Sequence, residues 1–190
     1  MIQFTLTLMA RTEIKIAGFG GQGIVTLGRL ITFTAYNAGK YATETIAYGG
    51  EAWGGSSWAD VVVDDEEVDH PRCPHPDIAI LLSQEAAAIF AGAVREGGLV
   101  LYDPVTVEKL SPRPGTQVYA IPAINTAREG LRMAVVANTV MFGAFVVFSG
   151  LFSPESAEKG IRSTVPPEAL GANLQAFRKG VEIAERMKGG

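Results

Sequence analysis

Six residues, Gly18-Phe19-Gly20-Gly21-Gln22-Gly23, carry the first pattern with chemical content. Gly18, Gly20 and Gly23 satisfy G-x-G-x-x-G, the spacing at which a strand turns sharply into a helix and lets backbone approach a phosphate. The helix that follows offers unpaired N–H groups and the positive end of its dipole. Gly20, Gly21, Gln22 and Gly23 are therefore candidate ligand-binding positions. A dinucleotide site also wants an acid about 20 residues on, at the tip of the second strand, for a ribose hydroxyl. Glu44 has the spacing, but the apolar run Thr45-Ile46-Ala47-Tyr48 continues the strand past it. Gln22 adds an amide that donates and accepts, suited to a polar ligand or a neighbouring subunit. A stand-alone NAD- or FAD-binding oxidoreductase domain is thus one reading of the loop, and a tight turn without a ligand is another.

The second pattern is Tyr48-Gly49-Gly50-Glu51-Ala52-Trp53-Gly54-Gly55-Ser56. Glu51 is its only acid, a candidate general acid/base or a carboxylate that caps local N–H groups. Gly54, Gly55, Ser56 and Ser57 offer small side chains and backbone donors to a phosphate or a partner loop. Trp53 and Trp58 flank them as interface candidates. His70, Cys73 and His75 lie close in sequence but alternate with prolines, and no fourth ligand follows, so no metal site is expected. Asn138 stands in the most apolar segment and reads as an interior or interface polar group. No nucleophile–base pair is apparent.

These loops need a scaffold. The chain has 190 residues, 47% hydrophobic and 19% charged, with a formal net charge of −4. That balance fits a globular α/β protein and argues against nucleic acid, which demands a basic face. One cysteine cannot supply the thiolates of an iron–sulfur cluster. Strand patterns at EIKIAGFG, YATETIAY, SSWADVVVDD, PDIAILLS, GLVLYD and TQVYAIPA alternate with helical ones, the mark of parallel βαβ construction. The acidic run DDEEVDHP reads as an exposed turn or hairpin. The C-terminal third is helical, with Leu170, Leu174, Phe177, Val181 and Ala184 in one stripe. The expectation is one domain over 13–190, a mostly parallel Rossmann-like sheet flanked by helices, after an N-terminal extension over 1–12; Met9 is a second possible start. Met133–Phe152 is long and apolar enough to span a bilayer, yet it reads as a core helix. With no basic leader, the expected compartment is the cytoplasm.

The runs IAGFGGQGIVTLGRLI, AYGGEAWGGSSWADVVVDDEEVDHP and PDIAILLSQEA resemble the gamma subunit of 2-oxoacid:ferredoxin oxidoreductases. The later Ala137-Asn138 to Gly143 spacing and NLQAFRKG fit as well, so the resemblance covers roughly 13–180. It implies a multi-subunit enzyme that cleaves a 2-oxoacid on thiamine diphosphate, passes electrons through iron–sulfur clusters to ferredoxin and releases acyl-CoA. It implies alpha and beta partner subunits, in some enzymes a ferredoxin-like delta subunit, and the thiamine and cluster sites on those chains. The gamma part is linked with coenzyme A access and with completing the assembly, so no cofactor is expected to be tightly bound by this chain alone. Tyr48, Gly49, Glu51, Gly54 and Gly55 match the family's Y-G-x-E-x-R-G-G, but Trp53 stands where members often carry arginine.

Overall fold

The computed structural model describes residues 11–49 and 55–189. Six strands form one sheet in the order β2-β3-β1-β4-β5-β6: β1 Thr12–Phe19, β2 Tyr41–Tyr48, β3 Ser56–Asp64, β4 Ile78–Leu81, β5 Leu99–Tyr102 and β6 Gln117–Ala120. β1 pairs in parallel with β4, β4 with β5 and β5 with β6, whereas β3 runs antiparallel to both β1 and β2. Five strands therefore point one way, and the mostly parallel α/β class holds. The uninterrupted βαβ alternation does not. β2 and β3 pair in register from Tyr41↔Asp64 to Tyr48↔Ser57, so the hairpin precedes β3 rather than following it. The acids after β3 form a bend instead, where the Asp64 carboxylate accepts from the backbone N–H of Asp65 and Glu66. The physical reason is burial: β3 is apolar enough to sit inside the sheet, between β2 and β1, while the acidic run can only face water.

Helix α1 (Ile24–Asn37) leaves the glycine loop and buries Ile24, Leu27, Leu30 and Ile31 on the sheet. α2 (Gln84–Phe90) follows β4, capped by the Ser83 hydroxyl, which accepts from Ala86 N–H at 3.1 Å. Three longer helices complete the chain: α3 (Ala137–Ser149), α4 (Pro154–Thr164) and α5 (Pro167–Gly189). The apolar segment 133–152 is not one continuous helix. α3 supplies its buried middle and Gly150, at φ 64°, ends it. Among the described residues no helix is long and apolar enough to cross a membrane.

α3 is wrapped by α1 and α5, so nearly all of it is buried, and Phe142 and Phe145 join Phe177 of α5 in the core. The α3–α5 contact is close because glycines face it. A Cβ at Gly143 would strike the Phe177 carbonyl, and one at Gly180 the Val140 carbonyl. Leu174, Phe177 and Ala184 of the expected stripe are buried there, with Leu170 and Val181 at its margin. The sheet's other face carries polar groups between strands. Lys15 of β1 pairs with Asp60 of β3, and Arg95 bridges Glu13 at 3.4 Å and Asp77 at 2.8 Å.

Candidate functional site

The glycine loop and the β2–β3 hairpin lie side by side at the carboxyl ends of the parallel strands, where open α/β sheets place ligands. Gly20 N–H donates to the Gly55 carbonyl at 3.3 Å, and Phe19 pairs with Ser56. They border a crevice of about 680 Å³, completed by the segments after β5 and β6 and by the start of α3.

Each loop residue has a distinct place. Gln22 is turned inward. Its Oε1 accepts from Phe19 N–H at 2.6 Å, and its Nε2 donates to the Leu82 carbonyl at 2.6 Å. The amide expected to serve a ligand or a neighbour instead staples the loop to the end of β4, because two backbone groups there need partners. Gly21, at φ 88°, has nothing within 4 Å of where a side chain would begin and lines the crevice. Gly23 takes φ 78° as it caps α1, and Asn138 stands against it. Leu27 N–H is the first helical donor of α1, bonded to the Gly23 carbonyl at 2.9 Å. The N–H groups of Ile24, Val25 and Thr26 are left at the crevice wall.

On the hairpin side, Tyr48 is 70% exposed and lines the crevice. Gly49 N–H donates to the Ser56 carbonyl at 2.6 Å. Ser56 Oγ donates to Glu85 Oε1 at 2.6 Å, so this hydroxyl is occupied and a carboxylate stands beside it, which disfavours an anion there. Ser57 lines the crevice. Gly50, Glu51, Trp53 and Gly54 lie outside the described residues. Trp58 packs partly buried on Phe90, ring centroids 5.9 Å apart.

Glu44 sits mid-strand on β2 and turns under α1 against Gly28, with one buried oxygen lacking a hydrogen-bond partner among the described residues. Burial raises its pKa above the ordinary carboxylate value, opposed by the nearby Arg29 charge. It is not at a strand tip, and β3 separates β2 from the glycine strand, so it is not placed to hold a ribose. Asn138, expected as an interior or interface polar group, stands half-buried at the first turn of α3 in the crevice wall; the fully interior polar pair is Thr139, whose hydroxyl donates to Asn173 Oδ1 at 2.6 Å. Cys73 is buried, its N–H donating to Asp60 and its thiol to the Val61 carbonyl at 3.7 Å, and burial pushes the thiol up to about 12. His70 and His75 are exposed, and among the described residues no three acid, histidine or cysteine side chains gather as a metal site.

Two crevice residues escaped the sequence reading. Asp103, at the end of β5, is 1% exposed and holds the far wall: its carboxylate accepts from Ile124 N–H at 2.8 Å and Val105 N–H at 2.9 Å. The Tyr102-Asp103-Pro104 strand end was its available signal. Arg128 rises from a π-helical turn, Thr126–Gly130, and is the basic group among the described lining residues. Nothing in its local sequence marks it. Phe19, Tyr48 and Val135 expose apolar surface around the mouth, Val135 to 84%.

The family model described as pyruvate ferredoxin/flavodoxin oxidoreductase matches residues 13–183. The chain is 40% identical over 180 residues to 2-oxoglutarate synthase subunit KorC of Methanocaldococcus jannaschii, covering 93% of this chain and 96% of that one. It is 31% identical to pyruvate synthase subunit PorC of Methanothermobacter thermautotrophicus, covering 93% and 97%. The crystal structure of the keto/oxoacid ferredoxin oxidoreductase gamma subunit from Geobacter sulfurreducens superposes with a TM-score of 0.84 at 36% identity, covering 94% of this chain and 98% of that one.

Proposed function

The chain belongs to the pyruvate ferredoxin/flavodoxin oxidoreductase family, and we propose that it is the gamma-type subunit of a thiamine-diphosphate-dependent 2-oxoacid:ferredoxin oxidoreductase, supplying the coenzyme A side of the active site. It does so without a redox or thiamine centre of its own. Its one thiol is buried and held protonated, so iron–sulfur chemistry is left to alpha, beta or ferredoxin-like delta partners, and to ferredoxin as acceptor. The assembly is cytoplasmic on this reading, and the oxoacid is recognised on the partner chains.

The observation that carries the reading is the crevice. The first turn of α1 presents backbone donors and a positive dipole end, Gly21 leaves room for close approach, and Arg128 adds a guanidinium. Such a wall fits one phosphate of a phosphorylated carrier. A carrier with several phosphates needs more cations than the described lining provides, so a partner face completes the site. The exposed rim of Phe19, Tyr48 and Val135 is the apolar surface such a face would cover. Gly49, Gly55 and Ser56, at the described ends of the hairpin, belong to that closing edge rather than to the phosphate wall. Coenzyme A, when bound, supplies the thiol that takes the acyl group; this chain's residues bind and orient it. A dinucleotide enzyme is not favoured, since Glu44, the acid at the fingerprint spacing, lies mid-strand under α1 and β3 separates its strand from the glycine strand.

Reconstitution tests this. The lone subunit is expected to show no oxoacid oxidation and to bind coenzyme A weakly, with affinity rising once the partners are added. Viologen reduction by the pure subunit, or tight NAD binding by it, would sink the reading.

A further inference from the structure

The far wall of the crevice presents one cation. Arg128 is exposed and lines the crevice from the π-helical turn Thr126–Gly130. At that turn Leu131 N–H reaches back five residues to the Thr126 carbonyl at 3.0 Å, one residue more than an α-turn closes. Four positions after Arg128, Arg132 takes φ 56°, the one non-glycine residue with left-handed backbone among the described residues. Two departures from regular backbone thus lie beside the same guanidinium, and such departures persist only where the surroundings over-determine them. Unlike Arg11, Arg95, Arg178 and Arg186, Arg128 forms no ion pair among the described residues.

Asp103 supplies much of that constraint. Ile121 N–H donates to the Tyr102 carbonyl at 2.8 Å, so the chain leaving β6 starts alongside the end of β5. The next residue of β5's exit, Asp103, divides its carboxylate between two segments. Its Oδ1 accepts from Val105 N–H at 2.9 Å, within its own turn. Its Oδ2 accepts from Ile124 N–H at 2.8 Å, in the short helical turn Ala123–Asn125 that runs straight into the Arg128 turn. The Asp103 carbonyl in turn accepts from Thr106 and Val107 N–H at 3.2 and 3.0 Å. On the other side of the turn, Met133 N–H donates to the carbonyl of fully buried Ala127 at 2.8 Å. The backbone is held both before and after Arg128, and the guanidinium is the free end.

We propose that Arg128 reads a phosphate of the carrier and that Asp103 is the positioning residue that aims it; this rests on the coenzyme A reading of the crevice. A guanidinium offers a planar fork of donors to two phosphate oxygens, so its use depends on direction as well as charge. A preset direction also lowers the ordering cost when the ligand arrives. Asp103 is no ligand group itself, being 1% exposed with both carboxylate oxygens engaged. Its chemistry suits the aiming role, because a carboxylate presents an acceptor on each side. Asparagine has the same shape but turns an amino group toward one of the two N–H donors and loses that bond.

The reconstituted complex tests both roles. Arg128→Ala should raise the KM for coenzyme A by roughly tenfold or more, the worth of a charged hydrogen bond, with kcat little changed. Arg128→Lys should recover only part of the loss. Dephospho-coenzyme A, which lacks the terminal phosphate, names the group that is read. A loss confined to coenzyme A assigns the terminal phosphate, and an equal loss on both carriers assigns the diphosphate. Asp103→Asn should raise the same KM several-fold in the wild-type chain but not in the Arg128→Ala chain, where nothing is left to aim. Glu129→Arg added to Arg128→Ala moves the guanidinium one exposed position along and should not rescue, a readout that stands even if Asp103→Asn fails to fold. Rescue by that pair, or an Asp103→Asn effect of equal size in both backgrounds, would overturn the aiming role. An unchanged KM in Arg128→Ala sinks the inference alone if Gly21→Asn still raises that KM, and sinks the crevice reading with it if Gly21→Asn does not.

Discussion

Asn138 fills the space that a side chain at Gly23 would need: a Cβ built there would lie 2.5 Å from Asn138 Nδ2 and 3.0 Å from its Cβ. The turn into α1 and the start of α3 are thereby locked together, two segments 115 positions apart in the chain. Gly23 is also at φ 78°, a conformation other residues adopt at a cost of roughly 1–2 kcal/mol. Gly23→Ala should therefore destabilise the protein by about 2–4 kcal/mol, the backbone cost plus the overpacking. Asn138→Ala in the same chain should recover most of the packing part, the amide clash, and leave the backbone part. A urea double-mutant cycle measures both, and full additivity would mean that the two residues do not press on each other.

This contact shows why half of the site was invisible in the sequence. The glycine loop is local: spacing, turn chemistry and the helix after it all sit within a dozen residues. The β2–β3 hairpin glycines were visible for the same reason. Arg128 and Asp103 reach the crevice only because β5 and β6 extend the sheet in parallel, and a lone arginine in a polar stretch carries no periodic mark. The reversal of β3 was hidden too. An apolar strand interior to a sheet looks the same in either direction, and only the hairpin length between Tyr48 and Ser56 distinguishes them. The Gln22 amide stood out by its position in the loop, but nothing local says that two backbone groups nearby would bond to it.

Gln22→Leu should release the loop from β4 while leaving the core intact. It removes the partners of Phe19 N–H and the Leu82 carbonyl, each worth about 1–3 kcal/mol if left buried and unmet. Hydrogen exchange at Phe19 should accelerate more than tenfold. Unchanged protection there would mean that water replaces the amide without loss.

The glycines of α3 and α5 make an internal contrast. Gly143→Ala puts a methyl group into the Phe177 carbonyl and should cost about 2–3 kcal/mol through forced helix separation. Gly171→Ala, on the same helix pair but facing open space, should stabilise by roughly 0.5–1 kcal/mol through helix propensity alone. Thermal melts of the two variants moving in the same direction would contradict the close α3–α5 packing.

Glu44 gives a pH test whose sign is fixed by its burial. Its folded pKa is raised, so the folded state holds the proton more tightly than the unfolded chain. Stability from this group is therefore greatest when acid and declines as pH rises from the unfolded value through the raised folded one. Glu44→Gln should remove that decline, raising the melting temperature at neutral pH relative to wild type and converging with it near pH 4, roughly the unperturbed carboxylate range. A variant less stable than wild type at neutral pH would show that the charged form is stabilised after all, by Arg29.

Gly21 separates a functional loop from a mere turn. A side chain there would enter the crevice without touching protein, so any harm to ligand binding comes from lost space rather than from lost packing. Its φ of 88° still strains a β-branched residue, and a stability measurement must accompany the activity assay. Gly21→Asn is the control, because asparagine tolerates left-handed backbone while still filling the space. In the reconstituted complex Gly21→Val and Gly21→Asn should both raise the KM for coenzyme A at least tenfold, with the KM for the oxoacid little changed if, as proposed, the partner chains hold that substrate. The lone subunit should bind NAD, NADP and FAD no better than buffer in titration calorimetry, before and after substitution. If Gly21→Asn folds normally, assembles and leaves the coenzyme A dependence untouched, the glycine loop is only the turn that starts α1, and the ligand wall must be sought along the hairpin and the partner face.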